Sequence, residues 1–392
     1  MRFDASAQDS TQFSQPVRWN LQQCIEYAKK NNIQINTLRL SQKTAQQEYL
    51  LAKAGRLPNL SGAASQNFIH QDKRGNVSLV NGNNVINGGS GITSSGQYSL
   101  NSSVTLYNGN YINNNIQQKN LDVQSSNLSI IQQENDITLQ ITQAYLTVLL
   151  DKENIVSDTS VVHTSAAQVK LEQQKYNVGA AARKDLVQLE AQNATDQYNL
   201  TNAMNTERAD LLTLKQLLLL PTDTDFDIPR PDTIVLNNEA TLPLKSVQDT
   251  ALKYRPEIKN GELSVQIAQY GVKLAQSGYK PVLSAGGGIG SQYSSGSNYF
   301  TQLNNNFYQQ LGLTLSVPIF TRRQVKTQVE EAKINVEQSQ LDFKNTKITL
   351  TQEVERAYIN VENAQSQFDA ANVQYKFNQE NYRIALEELK IG

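Results

Sequence analysis

Catalysis or metal binding would need histidine, cysteine or carboxylate groups at fixed spacings, and this sequence offers few. Its only histidines are His70 and His163 and its only cysteine is Cys24. No ligand cluster and no internal disulfide can be built from them, so all three read as structural. The run Gly286-Gly287-Gly288-Ile289-Gly290 imitates a phosphate loop. It continues into Ser291-Gln292-Tyr293 without a helix-opening signal, so a glycine-rich strand is the better reading. Asp122, Glu134 and Asp136 fall in helical sequence among basic and amide neighbours and read as solvated helix surface. No nucleophile is matched to a base. The pattern predicts no enzyme: no catalytic, cofactor-binding or metal residue is assigned, and no cofactor is expected.

The totals point the same way. Only 39% of the 392 residues are hydrophobic and 18% charged, leaving a large share of Gln, Asn, Ser and Thr, as suits surfaces wetted on more than one side. With 35 basic and 36 acidic residues the net charge is −1, which gives no field to attract nucleic acid. No apolar run approaches the roughly 18 residues of a membrane-spanning helix, but alternating strands of a spanning barrel would leave hydropathy just as low. Near the start, Ala5-Ser6-Ala7 before Gln8 has the small-residue form of a signal-peptidase site. No apolar segment precedes it, and either a trace of an export signal or an ordinary tail accounts for it.

The chain reads as two copies of one pattern. Residues 21–60 match 244–283 at an offset of 223, pairing Ala28 with Ala251, Ile35 with Ile258, Gly55 with Gly278 and Pro58 with Pro281. A second block matches at an offset of 213, pairing Val104 with Val317, Ala144-Tyr145 with Ala357-Tyr358 and Gly179 with Gly392. The expected organisation is a disordered tail over 1–18, a first repeat over 19–220, a connector over 221–243 holding four of the nine prolines, and a second, truncated repeat over 244–392.

Each copy opens with a helical segment, roughly 21–56 and 244–279. It stops at a glycine followed three residues later by proline: Gly55 with Pro58, and Gly278 with Pro281. Two strands follow, 59–70 and 97–107 in the first copy, 282–293 and 308–319 in the second. In the second of each pair the alternation is plain. Tyr98, Leu100, Val104 and Leu106 oppose Ser99, Asn101, Ser103 and Thr105, while Leu311, Leu313, Leu315, Val317 and Ile319 oppose Gly312, Thr314, Ser316 and Pro318. About ten residues suffice for a tilted strand to cross a bilayer. Four strands cannot close a barrel, so strands that span would have to be shared among several chains. Two soluble hairpins remain the alternative.

Very long helices come next, 110–178 and 320–391, with a further one over 180–220. The 69 residues of 110–178 contain neither glycine nor proline and would extend ~100 Å at 1.5 Å per residue. A line of apolar residues recurs every seven: Ile141, Val148, Ile155, Val162, Val169 and Tyr176, then Val354, Val361, Phe368, Tyr375, Tyr382 and Leu389. Such a narrow seam with polar flanks is that of coiled-coil helices. Gly179, the only glycine between Asn110 and Leu220, permits the positive φ of a helix end, and Asp185 sits where a carboxylate favours the next helix start.

Taken together, the exit AGRLPNL (54–60) with its copy SGYKPVL (277–283), and LTLSVPIFTRRQVKTQVEEAKI (313–334) with its weaker copy NSSVTLYNGNYINNNIQQKNLD (101–122), resemble the TolC-type outer-membrane efflux proteins. That resemblance, over roughly 19–392, implies a mixed, mostly α fold. Three chains would form a homotrimer, each giving four strands to a transmembrane β-barrel in outer-membrane lipid, continued by an α-helical tunnel of coiled coils across the periplasm. It implies an exit duct of a tripartite efflux or type I secretion system: a passive conduit for small molecules or proteins, driven by an inner-membrane transporter and joined to it by a periplasmic adaptor. YNVGAAARKDLVQLEAQ (176–192) is similar to the periplasmic tip of that family, so Tyr176, Val178, Gly179, Ala180, Asp185 and Leu186 become the tip and adaptor-contact residues. A second tip would begin at Leu389 and Gly392, with its returning helix after Gly392. Gly55, Pro58, Gly278, Pro281 and Pro318 would mark the exits between helices and strands. The rival is a periplasmic or cell-surface coiled-coil or adaptor protein with no membrane barrel.

Overall fold

The computed structural model describes residues 17–71, 79–81, 84–86, 91–230, 242–295 and 298–391. The Ala5-Ser6-Ala7 motif and Gly392 lie outside them, as does the Leu389 side chain. In chain order the elements are β1 (Val17–Arg18), α1 (Leu21–Asn31), α2 (Ile33–Ala54), β2 (Asn59–Gln71), β3 (Leu79–Asn81), β4 (Asn84–Ile86), β5 (Gly91–Asn108), α3 (Tyr111–Asn177), α4 (Arg183–Leu217), β6 (Phe226–Asp227), α5 (Leu244–Tyr254), α6 (Pro256–Ser277), β7 (Val282–Ser294), α7 (Tyr299–Asn305), β8 (Tyr308–Ser316) and α8 (Gln324–Ile391). They form two compact units, 1–41 with 127–247 and 42–126 with 248–392. The units do not follow the two halves of the sequence, because α2 and α3 are long enough to contribute to both.

The helical segments expected over 21–56 and 244–279 are each two helices. Arg255 is extended (φ −64, ψ 136) because the proline ring of Pro256, at the first position of α6, disfavours helical backbone in the residue before it. Asn32 is extended in the same way (φ −60, ψ 128), and its Oδ1 accepts from the Ile35 amide at 3.1 Å, capping α2. Asn32 and Arg255 correspond at the 223 offset, so both halves bend at one place by different means.

In the first unit, α1 opens with a capping box: Asn20 Oδ1 accepts from the Gln23 amide and Gln23 Oε1 from the Asn20 amide, both at 2.9 Å. Its buried face, Cys24 and Ala28, joins Ile35, Ile137, Ile141, Val148, Leu214, Leu218, Phe226 and Ile228 in the core. Burial pushes the Cys24 thiol up to about 11, so it is an inert core residue. Val17 and Arg18 lie inside the tail expected over 1–18, yet they pair in parallel with Phe226 and Asp227 as β1 and β6. Trp19 fixes that pairing, its ring 4.7 Å from Tyr27 and 5.8 Å from Phe226 between centroids. Beneath it, the Lys152 ammonium bridges Asp227 and, at 3.6 Å, Glu207. Arg39 Nη2 donates to Glu134 Oε1 at 2.9 Å, so Glu134 is a half-buried link between helices rather than solvated surface.

In the second unit, β2-β5-β7-β8 form an antiparallel four-stranded sheet, and α6 packs on α8. Gly261 of α6 and Gly278 at its C-cap let α8 approach, since a Cβ there would meet the Phe343 ring and Val325. Gly278 keeps right-handed helical φ (−63°), so its lack of a side chain serves close packing and not the left-handed turn expected of a helix stop. Asp122 is half-buried, beside the Lys119 ammonium that also reaches Glu48 at 2.6 Å. At the corresponding positions of the second half stand Gly271, Ala332 and Asn335, which line a groove instead of an ion triad.

Candidate functional site

The strand sheet has two unlike faces. Its register sets Leu60, Ser102, Gly287 and Leu311 in one row, Gly62, Leu100, Ile289 and Gln309 in the next, then Val104, Ala285 and Leu313, then Tyr107, Leu283 and Leu315. The opposite face carries Asn59, Ser103, Gly286 and Gly312; Ser61, Asn101, Gly288 and Gln310; and Thr105, Ser284 and Thr314. The apolar face is bare: Leu60 is 76% exposed, Leu311 90% and Leu313 72%. Leaving each such leucine in water forgoes about 1.5–3 kcal/mol relative to burial. Among the described residues β2 and β8 each pair on one side only, so both edges of the sheet are open.

Two details depart from simple alternation. A bulge between Thr105 and Tyr107 puts Tyr107, not Leu106, opposite Leu283. β8 stops at Ser316 because Pro318 has no amide to donate, so Val317 and Ile319 extend past the strand. At the far end of the hairpin, α7 is capped by Asn298 and brings Tyr299 4.5 Å from Tyr293 and 5.2 Å from Phe300, between ring centroids, and Tyr299 to Tyr98, 3.3 Å between hydroxyls. Aromatic rings with polar tips at the end of an apolar band fit a membrane–water boundary.

The helical tip lies in the first unit. α3 ends in a Schellman motif: the Ala180 amide donates to Lys175 O at 2.8 Å and the Gly179 amide to Tyr176 O at 3.0 Å, with Gly179 at φ +76. Among the described residues beyond its chain neighbours, no heavy atom lies within 4 Å of where its Cβ would be, so glycine is present for conformation alone. α4 then starts at Arg183 after Ala182, and Asp185 is in its first turn without making the cap hydrogen bond. Val178 is 80% exposed and Gly179, Ala180 and Asp185 are exposed, while Tyr176 is half-buried and Leu186 is buried at 3%. Leu186, expected as a contact residue, packs under the turn instead and offers no surface.

The outer membrane efflux protein family model matches residues 24–218 and 247–392. The chain belongs to the outer membrane efflux protein family. It is an outer-membrane protein. It is 22% identical over 221 residues to the alkaline protease secretion protein AprF of Pseudomonas aeruginosa, a match covering 56% of this chain and 46% of AprF, so the chain spans about half the length of that relative. In fold it is similar to the Campylobacter jejuni CmeC outer membrane channel (TM-score 0.78, 19% identity, 95% of this chain and 77% of that one). It is likewise similar to the open state of the Neisseria gonorrhoeae MtrE outer membrane channel (TM-score 0.75, 16% identity, 95% and 80%). These relatives are channel and secretion proteins, not enzymes.

In this outer membrane efflux protein the glycine and proline of each helix stop fall between elements. Gly55 and Pro58 bracket the turn between α2 and β2, Gly278 and Pro281 that between α6 and β7, and Pro318 follows β8. What sequence reasoning missed lies in the α3–α4 seam. Asp151 of α3 is 8% exposed, its Oδ2 has no hydrogen-bond partner among the described residues, and it faces Asp210 and Glu207 of α4. Burial, then the Asp210 carboxyl, raises its pKa. Its place in the sequence gave one clue: it falls three residues after Val148, on the buried seam. Further toward the tip, Asn193 Nδ2 donates to the buried Ser165 Oγ at 2.9 Å, a polar tie across the seam.

Proposed function

We propose that this chain is one protomer of a homotrimeric outer-membrane exit duct, a passive conduit linked by a periplasmic adaptor to an inner-membrane pump of a tripartite efflux or type I secretion system. One observation carries the reading: a four-stranded sheet with a bare apolar face, a polar face and two open edges. An open edge in hydrocarbon leaves backbone groups unpaired at several kcal/mol each, so the sheet needs partners on both sides. Three copies joined β8 to β2 close a twelve-stranded barrel with the leucines toward lipid and the Ser, Asn, Gln and Thr face toward the lumen. Such a wall holds solutes weakly, as a conduit requires.

The exposed Val178, Gly179 and Ala180 are the adaptor contact, held by the Schellman turn, with Leu186 supporting them from beneath. Opening is a change in packing of the helical tips rather than a bond-making step. The exposed seam of α8, with Phe368, Tyr375 and Tyr382, is covered by neighbouring protomers in the trimer.

The test is the full chain purified in detergent and reconstituted into planar bilayers. The expected result is a trimer on sizing, heat-modifiable migration on gels and discrete conductance. A soluble monomer without detergent that forms no conductance overturns the reading in favour of a periplasmic coiled-coil protein.

A further inference from the structure

At the 213 offset, Arg322 and Arg323 stand where the first half has Gly109 and Asn110. All four residues have positive φ: 65° and 69° at Gly109 and Asn110, 47° and 67° at Arg322 and Arg323. The second turn is closed by the Gln324 amide on Thr321 O at 2.8 Å, leaving the two arginines as its central residues. Glycine and asparagine are the residues such a turn favours, and arginine is strained there. The first half therefore uses the expected chemistry and the second pays for something else.

The arginines do not serve the fold. Both are exposed, and neither guanidinium has a hydrogen bond or ion pair among the described residues. They precede α8, whose first turn holds no acidic residue and whose dipole disfavours cations at that end. Lys326 adds a third cation, and the sequence from 263 to 329 contains no Asp or Glu at all. One residue before them, beyond Thr321, Phe320 is 83% exposed and Ile319 95%, continuing from the bare leucines of β8. Two large apolar side chains followed, after Thr321, by two unpaired guanidinium groups match the profile of a lipid leaflet, hydrocarbon and then phosphate.

We propose that Arg322 and Arg323 bind the phosphate of an anionic phospholipid in the leaflet facing the periplasm, with Ile319 and Phe320 among its acyl chains. The proposal rests on the membrane-barrel reading above. In the first half, Gly109 and Asn110 bring no charge to the matching turn, so each protomer carries one such site, not two.

The test is lipid retention by the full chain in detergent, measured by native mass spectrometry after titration with phosphatidylglycerol or phosphatidylcholine. Arg322→Gly with Arg323→Asn installs the first-half turn, so the backbone is relieved rather than broken. The expected result is preferential retention of phosphatidylglycerol by the parent chain and an about tenfold loss of that preference in the double variant, with heat-modifiable migration intact. Ile319→Ser with Phe320→Ser is expected to weaken retention of both lipids. An unchanged preference in the arginine variant overturns the proposal, as does full competition by glycerol phosphate, which would make the site one for soluble phosphate. Absence of heat-modifiable migration in the parent chain would instead sink the barrel reading.

Discussion

α3 and α8 are nearly equal in length, 67 and 68 residues, and carry the same seven-residue apolar line, yet they end in different surroundings. On α3, Ile141 and Val148 are fully buried and Ile155, Val162, Val169 and Tyr176 half-buried, because α4 returns along them. On α8, α6 covers the first turns, but Val361, Phe368, Tyr375 and Tyr382 are 53%, 43%, 64% and 67% exposed. A heptad line thus says where a helix can be covered and not whether it is. The covered seam can then carry polar exceptions such as Asp151, Ser165 and Asp196, each held in a fixed environment, whereas the open one presents aromatic rings.

The comparison breaks most sharply at the corresponding pair Val148 and Val361. Val148→Asp should cost about 3–5 kcal/mol, since it buries an unpaired charge. Val361→Asp should change the stability of the single chain by less than about 0.5 kcal/mol. Urea unfolding read by Trp19, the only tryptophan and a reporter of the first unit, decides the first, and circular dichroism the second; equal losses would end the distinction. Lys152→Met should cost about 2 kcal/mol by leaving Glu207 half-buried without its cation and Asp227 with only the more exposed Arg18, 3.5 Å away.

Gly179→Ala should cost about 1 kcal/mol from its positive φ alone, with no added clash, measurable as a lowered urea midpoint. Asp151→Asn should do the opposite. A carboxyl whose pKa is raised on folding lets the native state bind more protons, so stability falls as pH climbs from the ordinary carboxylate value through the raised one. The variant should gain about 1 kcal/mol at pH 7 and nothing near pH 3, where the parent is protonated in both states. A gain that persists at pH 3 would sink this account. Smallest of all, Phe368→Ser should leave the stability of the single chain within about 0.5 kcal/mol while reducing the trimer fraction on sizing in detergent.

Much of this was legible in the sequence. Residues lacking glycine and proline over 110–178 and 319–391 became α3 and α8, the alternating runs became β5 and β8, and the lone glycine at 179 became a helix end with positive φ. The break inside each opening helical segment was not among the sequence expectations: Pro256 imposes it before α6, and Asn32 does the same in the first half with a side-chain cap that no composition signal marks. α7 was hidden in a stretch rich in Asn and Ser, where a single capping residue decides the outcome. The Arg322-Arg323 turn was invisible for a simpler reason: nothing in two arginines predicts left-handed backbone, and only the preceding strand and following helix impose it.

The periods of 3.6 and two and the reversal at Gly179 are properties of neighbouring residues, so the sequence alone determined them. Which stripe would be buried, which carboxylate would lose its water and which leucines would remain bare depended on segments far apart in the chain meeting one another. Leu186 and Leu311 illustrate it: two leucines of equal hydrophobicity, one 3% exposed beneath a turn and the other 90% exposed on a sheet. Burial is a property of pairs of surfaces, and a sequence window holds only one member of the pair.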